Sequence, residues 1–426
     1  MMHIDPPSGL NAVVHIPGSK SITHRAIIAA SLAKGRSVLN DFLECEDTLY
    51  TIDALRQLGV PITGDGDRLI VEGRGRTLGT GPVTRRIYLG NSGTSFRLLL
   101  SVVALCRGEF LMTGTKRMQQ RPIGSLVAAL NRLGVDASCV KRNGCPPVRI
   151  RASGIRGGRV SISGDQSSQF LSSLLLSAPC ADADIDVEVK GELVSSPYVD
   201  MTTHVMEEFG IRVDRDPYHS FRIPSGQDYR AREFSIQGDA SSASYFWAAA
   251  AVTGGTMVTC NIHPYRTLQG DIGLLKILER MGCTIETAAD RVTVRGGELS
   301  GIEVDMSDLP DMVPTLAAVA LFARGRTVIR NVAHLRHKES DRLRALAVEW
   351  SRIGGRVREL PDGLIIEGET PLSGGVANPH NDHRLAMSLA IVALRVPDLD
   401  ITDKDCVNKS FPTFWSLWDR LQRDTG

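Results

Sequence analysis

The sequence predicts an α/β protein of two domains assembled from six similar units. Three observations lead there. A helix–glycine–strand pattern recurs at LRQLGV, LNRLGV, MEEFGI, LERMGC and WSRIGG, setting Gly59, Gly134, Gly210, Gly282 and Gly354 at intervals of 72 to 76 residues. A second pattern, a small or polar start that opens into an apolar helix, begins near Ser21, Ser95, Ser168, Ser242, Asp311 and His383, at intervals of 69 to 74 residues. The chain has 426 residues, more than one hydrophobic core usually serves, so six copies of about 73 residues divide into three and three.

Each element has a local reason. SITHRAIIAASLA, SFRLLLSVVAL, SQFLSSLLLSA, SASYFWAAAAV, DMVPTLAAVALFA and HRLAMSLAIVAL are apolar almost all round, which predicts buried helices. The recurring glycines fit left-handed caps that close the other helices. GGTMVTCNI and GRTVIRNV read as strands after buried helices, and CTIETAADRVTVRG and GRVRELPDGLIIEG alternate around a turn as hairpins do. Boundaries fall near Pro17–Ser19 and Gln237–Asp239, each just ahead of a buried helix. Residues 1–18 with 239–426 then form a first, discontinuous domain, and residues 19–238 a second. The short N-terminal strand is expected to return to the C-terminal half, so the chain crosses between domains twice.

Composition narrows the function. The net charge is +1, the apolar fraction 42% and the charged fraction 23%, ordinary for a soluble globular protein and without the field that draws nucleic acid or an anionic membrane. MMHIDPPSGL lacks the basic start and apolar core of a signal peptide, and no apolar run reaches the roughly 18 residues of a membrane span. The eight cysteines form no CxxC pair, which fits free thiols in a reducing cytoplasm better than a metal site. PGSKS lacks the first glycine of a nucleotide-phosphate loop, GDGDRLIVEG lacks the calcium-loop pattern, and neither HExxH nor a GxSxG elbow is found.

The starts of the buried helices carry the chemistry. Helix N-termini present unpaired N–H groups and partial positive charge, so they favour anions. Yet Lys20 and Arg25 in PGSKSITHR, Arg97 in GNSGTSFR and Arg384 in NDHR stand in or near first turns, and Lys409 in NKSFPTFW reads as the start of the last helix. Each such cation costs a few tenths to about 1 kcal/mol. Several together imply bound anions that offset the cost, and Arg121 in RMQQRPI and Arg342 in HKESDR add to the charge. Ligands bearing several phosphates and carboxylates match arginine forks and lysine charges. Taken singly, HKESDR also reads as a solvated helix face, Ser167 and Ser168 as plain caps, His383 as a cap or a catalytic group, and Trp247, Trp415 and Trp418 as packing.

PGSKSITHR, LGNSGTSFR, RPI, GDQSSQFLSSLL, SSPYVDMT, GDASSASYF, LPD, HKESDRL, NDHRLAMS and NKSFP, in this order from Lys20 to Pro412, resemble the 5-enolpyruvylshikimate-3-phosphate synthases, a family of enolpyruvyl transferases. The resemblance implies a two-domain inside-out α/β barrel of six βαβαββ-type repeats, three per domain, with an active site in the cleft between the domains. It implies transfer of the enolpyruvyl group of phosphoenolpyruvate to the 5-hydroxyl of shikimate 3-phosphate, by addition and elimination through a tetrahedral intermediate. It assigns shikimate 3-phosphate to Lys20, Ser21, Arg25, Ser167, Ser168, Gln169, Ser195, Tyr198, Asp311 and Lys338. It assigns phosphoenolpyruvate to Lys20, Asn91, Gly93, Arg121, Gln169, Arg342, Arg384 and Lys409, and proton transfer to Lys20, Asp311 and Glu339. A monomer is implied, acting on these two small molecules with no metal, cofactor, nucleic acid or membrane. The chain departs from the commoner pattern at Ser92, Leu98, Ser196 and His334 but keeps Gly93, so inhibition by glyphosate, competitive with phosphoenolpyruvate, is expected. Two rivals stand beside this reading. One is the sister enzyme acting on UDP-N-acetylglucosamine, although GTKRMQQRPI has no Cys or Asp where that family places one. The other is a non-catalytic anion-binding paralogue.

Overall fold

In each unit the repeating patterns become buried helices that pack on one another and small open sheets. A computed structural model describes residues 2–4, 10–79 and 84–423. Residues 1, 5–9, 80–83 and 424–426, which fall within the domain ranges read from the sequence, lie outside the described residues. The α-helices are α1 Lys20–Leu32, α2 Glu46–Gln57, α3 Gly93–Ala104, α4 Gly124–Arg132, α5 Ser168–Ser177, α6 Pro197–Glu208, α7 Ala240–Thr253, α8 Leu274–Met281, α9 Val313–Ala320, α10 Arg342–Arg352, α11 His383–Ala393 and α12 Phe414–Arg423. The chain divides into two compact units, Met1–Pro17 with Gln237–Gly426, and Gly18–Ile236.

In the unit Gly18–Ile236, three sheets share one strand order. Thr84–Tyr88 runs parallel to Arg107–Thr113, which pairs antiparallel with Val148–Ser153 and that in turn with Asp136–Cys139. Gly158–Ser163, Ile185–Lys190, Ser220–Ile223 and Asp214–Asp216 repeat the arrangement. In the remaining sheet Lys34–Asn40 takes its parallel partner, Glu233–Ser235, from the far end of the unit. The apolar helices α1, α3 and α5 are almost entirely buried, as all-round apolar sequence requires. Where α3 meets α5, Ser101 Oγ lies 2.7 Å from Ser173 Oγ, and Ser173 donates to the Arg97 carbonyl at 2.5 Å. Small hydroxyls at that contact let two helices approach closely while satisfying each other.

The unit Met1–Pro17 with Gln237–Gly426 repeats the plan. Asn11–His15 runs parallel to Thr256–Cys260, followed by Arg291–Arg295 and Thr284–Thr287. Glu303–Asp305, Arg326–Arg330, Gly363–Glu367 and Arg356–Leu360 form the second sheet. The third has three strands: Gly375–Ala377 is parallel to Leu399–Ile401, and Met2–His3 stands where a hairpin would continue. The sixth repeat is thus shorter than the other five, with α12 ending the chain. Phe246, Phe411, Phe414 and Trp418 pack that helix down with ring centroids 4.9–6.4 Å apart, each pair worth about 0.5–1.5 kcal/mol beyond its area. Trp247 is buried with its Nε1 donating to Thr259 Oγ1 at 2.8 Å, and Trp415 donates to the Lys404 carbonyl, so these rings are packing elements.

The five helix-ending glycines all adopt the left-handed conformation, with φ of +91°, +88°, +86°, +118° and +96° at Gly59, Gly134, Gly210, Gly282 and Gly354. A side chain there would strain the backbone. Among the described residues the strands form open sheets and no closed β-barrel; the elements turned inward are helices.

Candidate active site

In the unit Gly18–Ile236, the candidates stand at the starts of α1, α3 and α5 and ahead of α4 and α6. Lys20, the first residue of α1, points its Nζ at Asp47 Oδ2 of α2, 3.2 Å away. One turn on, Arg25 is 1% exposed. Its Nε donates to Thr202 Oγ1 at 2.7 Å, its Nη1 to the Ser21 carbonyl at 2.9 Å, and its Nη2 to the Tyr198 carbonyl at 3.1 Å and Ser172 Oγ at 3.4 Å. These acceptors are uncharged, and burial pushes the guanidinium down to about 10. Such a site favours an anion brought to it.

Arg121 follows a short 3₁₀ turn, Met118–Gln120, and its Nη1 donates to the Asn91 carbonyl at 3.0 Å. The guanidinium lies flat against Gly93: a Cβ there would sit 2.5–2.8 Å from its atoms. Gly93 is therefore small because Arg121 fills the space beside it. Gln169 donates to Thr94 Oγ1 at 3.0 Å and accepts from Arg97 Nη1 at 2.8 Å, while Arg97 also stacks over the Phe170 ring at 5.3 Å. Arg97 thereby orients Gln169. Ser167 caps α5 by accepting from the Gln169 N–H at 3.3 Å, Ser168 is the first residue of that helix, and Ser195 adopts φ +57° just before α6. A non-glycine residue held there signals local over-determination.

The other unit gathers its candidates into one cluster. Asp311 Oδ1 accepts from Arg342 Nη1 at 2.9 Å and Lys338 Nζ at 3.4 Å, and its Oδ2 from Arg384 Nη2 at 2.9 Å. Burial opposes its ionisation, yet Arg384, Lys338 and Arg342 outweigh burial and hold the carboxyl well below the usual range. Arg342, 1% exposed, also donates to Glu339 Oε2 at 2.9 Å and to both oxygens of Asp382 at 2.8 and 3.2 Å. Burial would lower Arg342, but Asp382, Glu339 and Asp311 raise it instead. Lys409 Nζ lies 4.0 Å from Glu339 Oε1. His334 is pushed down to about 4 by burial and then by Lys338, so its imidazole is neutral at pH 7.

Three points differ from the reading of the sequence. Lys409 does not open the last helix; it ends the 3₁₀ segment Lys404–Lys409, and α12 starts at Phe414. Pro412 disfavours helical backbone in the residue before it, which delays the start. Asp311 belongs to the 3₁₀ turn Pro310–Met312 ahead of α9. The helix-start cations are also not left to bound anions alone, because Asp47 compensates Lys20, and Asp311 compensates Arg384. Sequence reasoning did not single out Asp47 or Asp382. Asp382 had a signal, since it precedes the helical pattern and caps α11 by accepting from the Arg384 N–H at 3.0 Å. Asp47 reads as one more first-turn acid, and only the fold carries it to Lys20.

Comparison with known proteins identifies the family. A family model described as EPSP synthase (3-phosphoshikimate 1-carboxyvinyltransferase) matches residues 4–418. A protein of Syntrophobacter fumaroxidans named 3-phosphoshikimate 1-carboxyvinyltransferase is 45% identical over 428 residues, covering 98% of this chain and 99% of its own. One of the same name from Shewanella denitrificans is 40% identical, covering 99% of both chains. A solved structure of EPSP synthase from Acinetobacter baumannii superposes with a TM-score of 0.80 at 29% identity, over 99% of this chain and 97% of that one. With the model spanning nearly the full length and such relatives matched end to end, the chain belongs to the EPSP synthase family.

Proposed function

We propose that this chain transfers the enolpyruvyl group of phosphoenolpyruvate to the 5-hydroxyl of shikimate 3-phosphate, releasing phosphate. The observation that carries the reading is the set of four cations, Lys338, Arg342, Arg384 and Lys409, held around the carboxylates of Asp311 and Glu339. Anionic substrates need the cations, and the proton transfers need the acids.

In the addition, the 5-hydroxyl oxygen bonds to C2, its proton passes to a base, and C3 gains a proton to become a methyl group. In the elimination, the C2–O bond to phosphate breaks, phosphate leaves with the electron pair, and C3 returns a proton to restore the double bond. Asp311 in the resting cluster is a weak base because three cations stabilise its charge. Once Arg342 and Arg384 are engaged by the carboxylate and phosphate of phosphoenolpyruvate, that stabilisation is shared and Asp311 becomes the stronger base. Glu339, beside Lys409 and Arg342, is suited to deliver the proton to C3. Lys20 supplies charge to the departing phosphate. Ser167, Ser168, Ser195, Tyr198, Gln169 and the buried Arg25 serve the shikimate phosphate and ring. Asn91, Gly93 and Arg121 serve phosphoenolpyruvate. The reaction needs no metal or cofactor, and a monomer in the cytoplasm suffices.

The test is phosphate release from phosphoenolpyruvate with each of two acceptors. Turnover is expected with shikimate 3-phosphate and not with UDP-N-acetylglucosamine. Turnover with the nucleotide sugar alone, or with neither, overturns the reading. Lys20→Met and Glu339→Gln are each expected to lower kcat at least about a hundredfold, in the range of lost acid–base catalysis.

A further inference from the structure

A buried acid outside the cluster just described reaches it through the Ser241 hydroxyl. Asp271 lies in the 3₁₀ turn Gly270–Gly273 ahead of α8 and is 3% exposed. The neighbouring Gln269 already secures this turn, accepting from the Ala240 N–H at 3.0 Å and donating to the Gly238 carbonyl at 2.8 Å. The Asp271 carboxylate is therefore not required to hold its own backbone. It accepts a hydrogen bond from Ser241 Oγ. Ser241 has one hydroxyl proton, so that bond turns its lone pairs toward Arg384, whose Nη2 lies 3.4 Å from the same oxygen. Arg384 then reaches Asp311 Oδ2 at 2.9 Å and the Asp311 carbonyl at 3.3 Å.

We propose that Asp271 is a positioning residue for Arg384, acting through the Ser241 hydroxyl to fix the guanidinium for phosphoenolpyruvate. The inference rests on the reading of Arg384 as a phosphoenolpyruvate-binding group. Burial, then Asp311 and Asp239 against the opposing Arg384, raises the Asp271 carboxyl to about 6. Protonated Asp271 no longer compels Ser241 to donate to it, so the alignment of Arg384 is lost as pH falls through that value.

The test uses the full chain with phosphate release as readout. Ser241→Ala is expected to raise the KM for phosphoenolpyruvate about tenfold, the scale of one hydrogen bond to a charged group, with the KM for shikimate 3-phosphate unchanged. Wild type is expected to show a rise in that KM between pH 7.5 and 5.5, and Asp271→Asn is expected to remove it. Because Asn is neutral and of the same shape, its thermal midpoint at pH 7.5 is expected to be no lower than wild type. In the double variant the two effects are expected not to add, as for residues acting through one contact. Wild-type pH dependence in Asp271→Asn, or a rise in both KM values with a falling midpoint, overturns the proposal. Arg384→Lys separates the premise: an unchanged KM for phosphoenolpyruvate in that variant overturns the role of Arg384 itself, whatever the other variants do.

Discussion

Arg25 offers the sharpest separation of fold from function. It is nearly inaccessible, and burial pushes its guanidinium down to about 10. A lowered folded value means that the charged form is penalised in the native state at every pH below about 10, and the penalty is fully present at neutrality. At 1.36 kcal/mol per pKa unit it amounts to about 3 kcal/mol. The groups around it have other partners: Thr202 Oγ1 lies 2.8 Å from both the Tyr198 carbonyl and Ser172 Oγ, and its one hydroxyl proton can go to either. Arg25→Met should therefore change the stability of the ligand-free protein by less than about 2 kcal/mol, the lost packing and hydrogen bonds offsetting the relieved penalty. Binding of shikimate 3-phosphate should suffer far more. A unit charge about 4 Å from a phosphate is worth about 4 kcal/mol at an effective dielectric of 20, so a loss of at least about a hundredfold in affinity is expected. Isothermal titration with shikimate 3-phosphate alone measures it, and urea unfolding supplies the stability control. Affinity within tenfold of wild type in a folded Arg25→Met protein would refute the electrostatic role given to this residue.

Three further outcomes follow from the same geometry. Gly93→Ala must displace the Arg121 guanidinium, and the KM for phosphoenolpyruvate is expected to rise about tenfold in steady-state phosphate release, the scale of one disturbed hydrogen bond to a charged group; an unchanged KM would show that Arg121 does not depend on that space. Asp311 has a folded pKa below its ordinary 3.8, so its contribution to stability is fully present above about pH 4 and disappears as pH falls through the folded value. Asp311→Asn is expected to cost about 3–5 kcal/mol at pH 7, with the deficit closing in acid, followed by urea denaturation across pH; a deficit that does not change with pH would contradict this. Glyphosate is expected to compete with phosphoenolpyruvate, and a Ki above the millimolar range in initial-rate assays would argue against the phosphoenolpyruvate-binding roles proposed for Gly93 and Arg121.

What the sequence reveals and what it hides divide along the range of the interactions. Helix burial and the glycine caps are local, so a spacing of 72 to 76 residues was enough to place Gly59, Gly134, Gly210, Gly282 and Gly354 in left-handed backbone. That the N-terminal segment returns to the C-terminal half was legible, and Asn11–His15 and Met2–His3 do pair there; the shortened sixth sheet was not, because no periodicity announces that Leu399–Ile401 is the partner of Met2–His3. The candidate cations were legible as residues out of place at helix starts. Their counter-ions were not: Arg342 meets Asp382 across 40 residues and Arg384 meets Asp311 across 73. Lys409 was assigned to a helix start from the apolar run after it, and Pro412 shifts that start beyond it.

The counter-ions change how the site is to be understood. With Lys338, Arg342, Arg384 and Lys409 set against Asp311, Glu339 and Asp382, the cluster carries a net charge near +1 and holds its cations in place before any substrate arrives. An incoming anion does not fill an empty positive hole; it must compete with Asp311 for Arg384 and Arg342. That competition couples binding to chemistry. A single negative charge about 4 Å from Asp311 is worth about 4 kcal/mol at an effective dielectric of 20, enough to raise the basicity of the carboxylate by about a thousandfold. On the roles proposed for Asp311, Arg342 and Arg384, the group that accepts a proton is thus kept inert until phosphoenolpyruvate is present, and the same ion pairs that stabilise the resting fold supply the energetic switch.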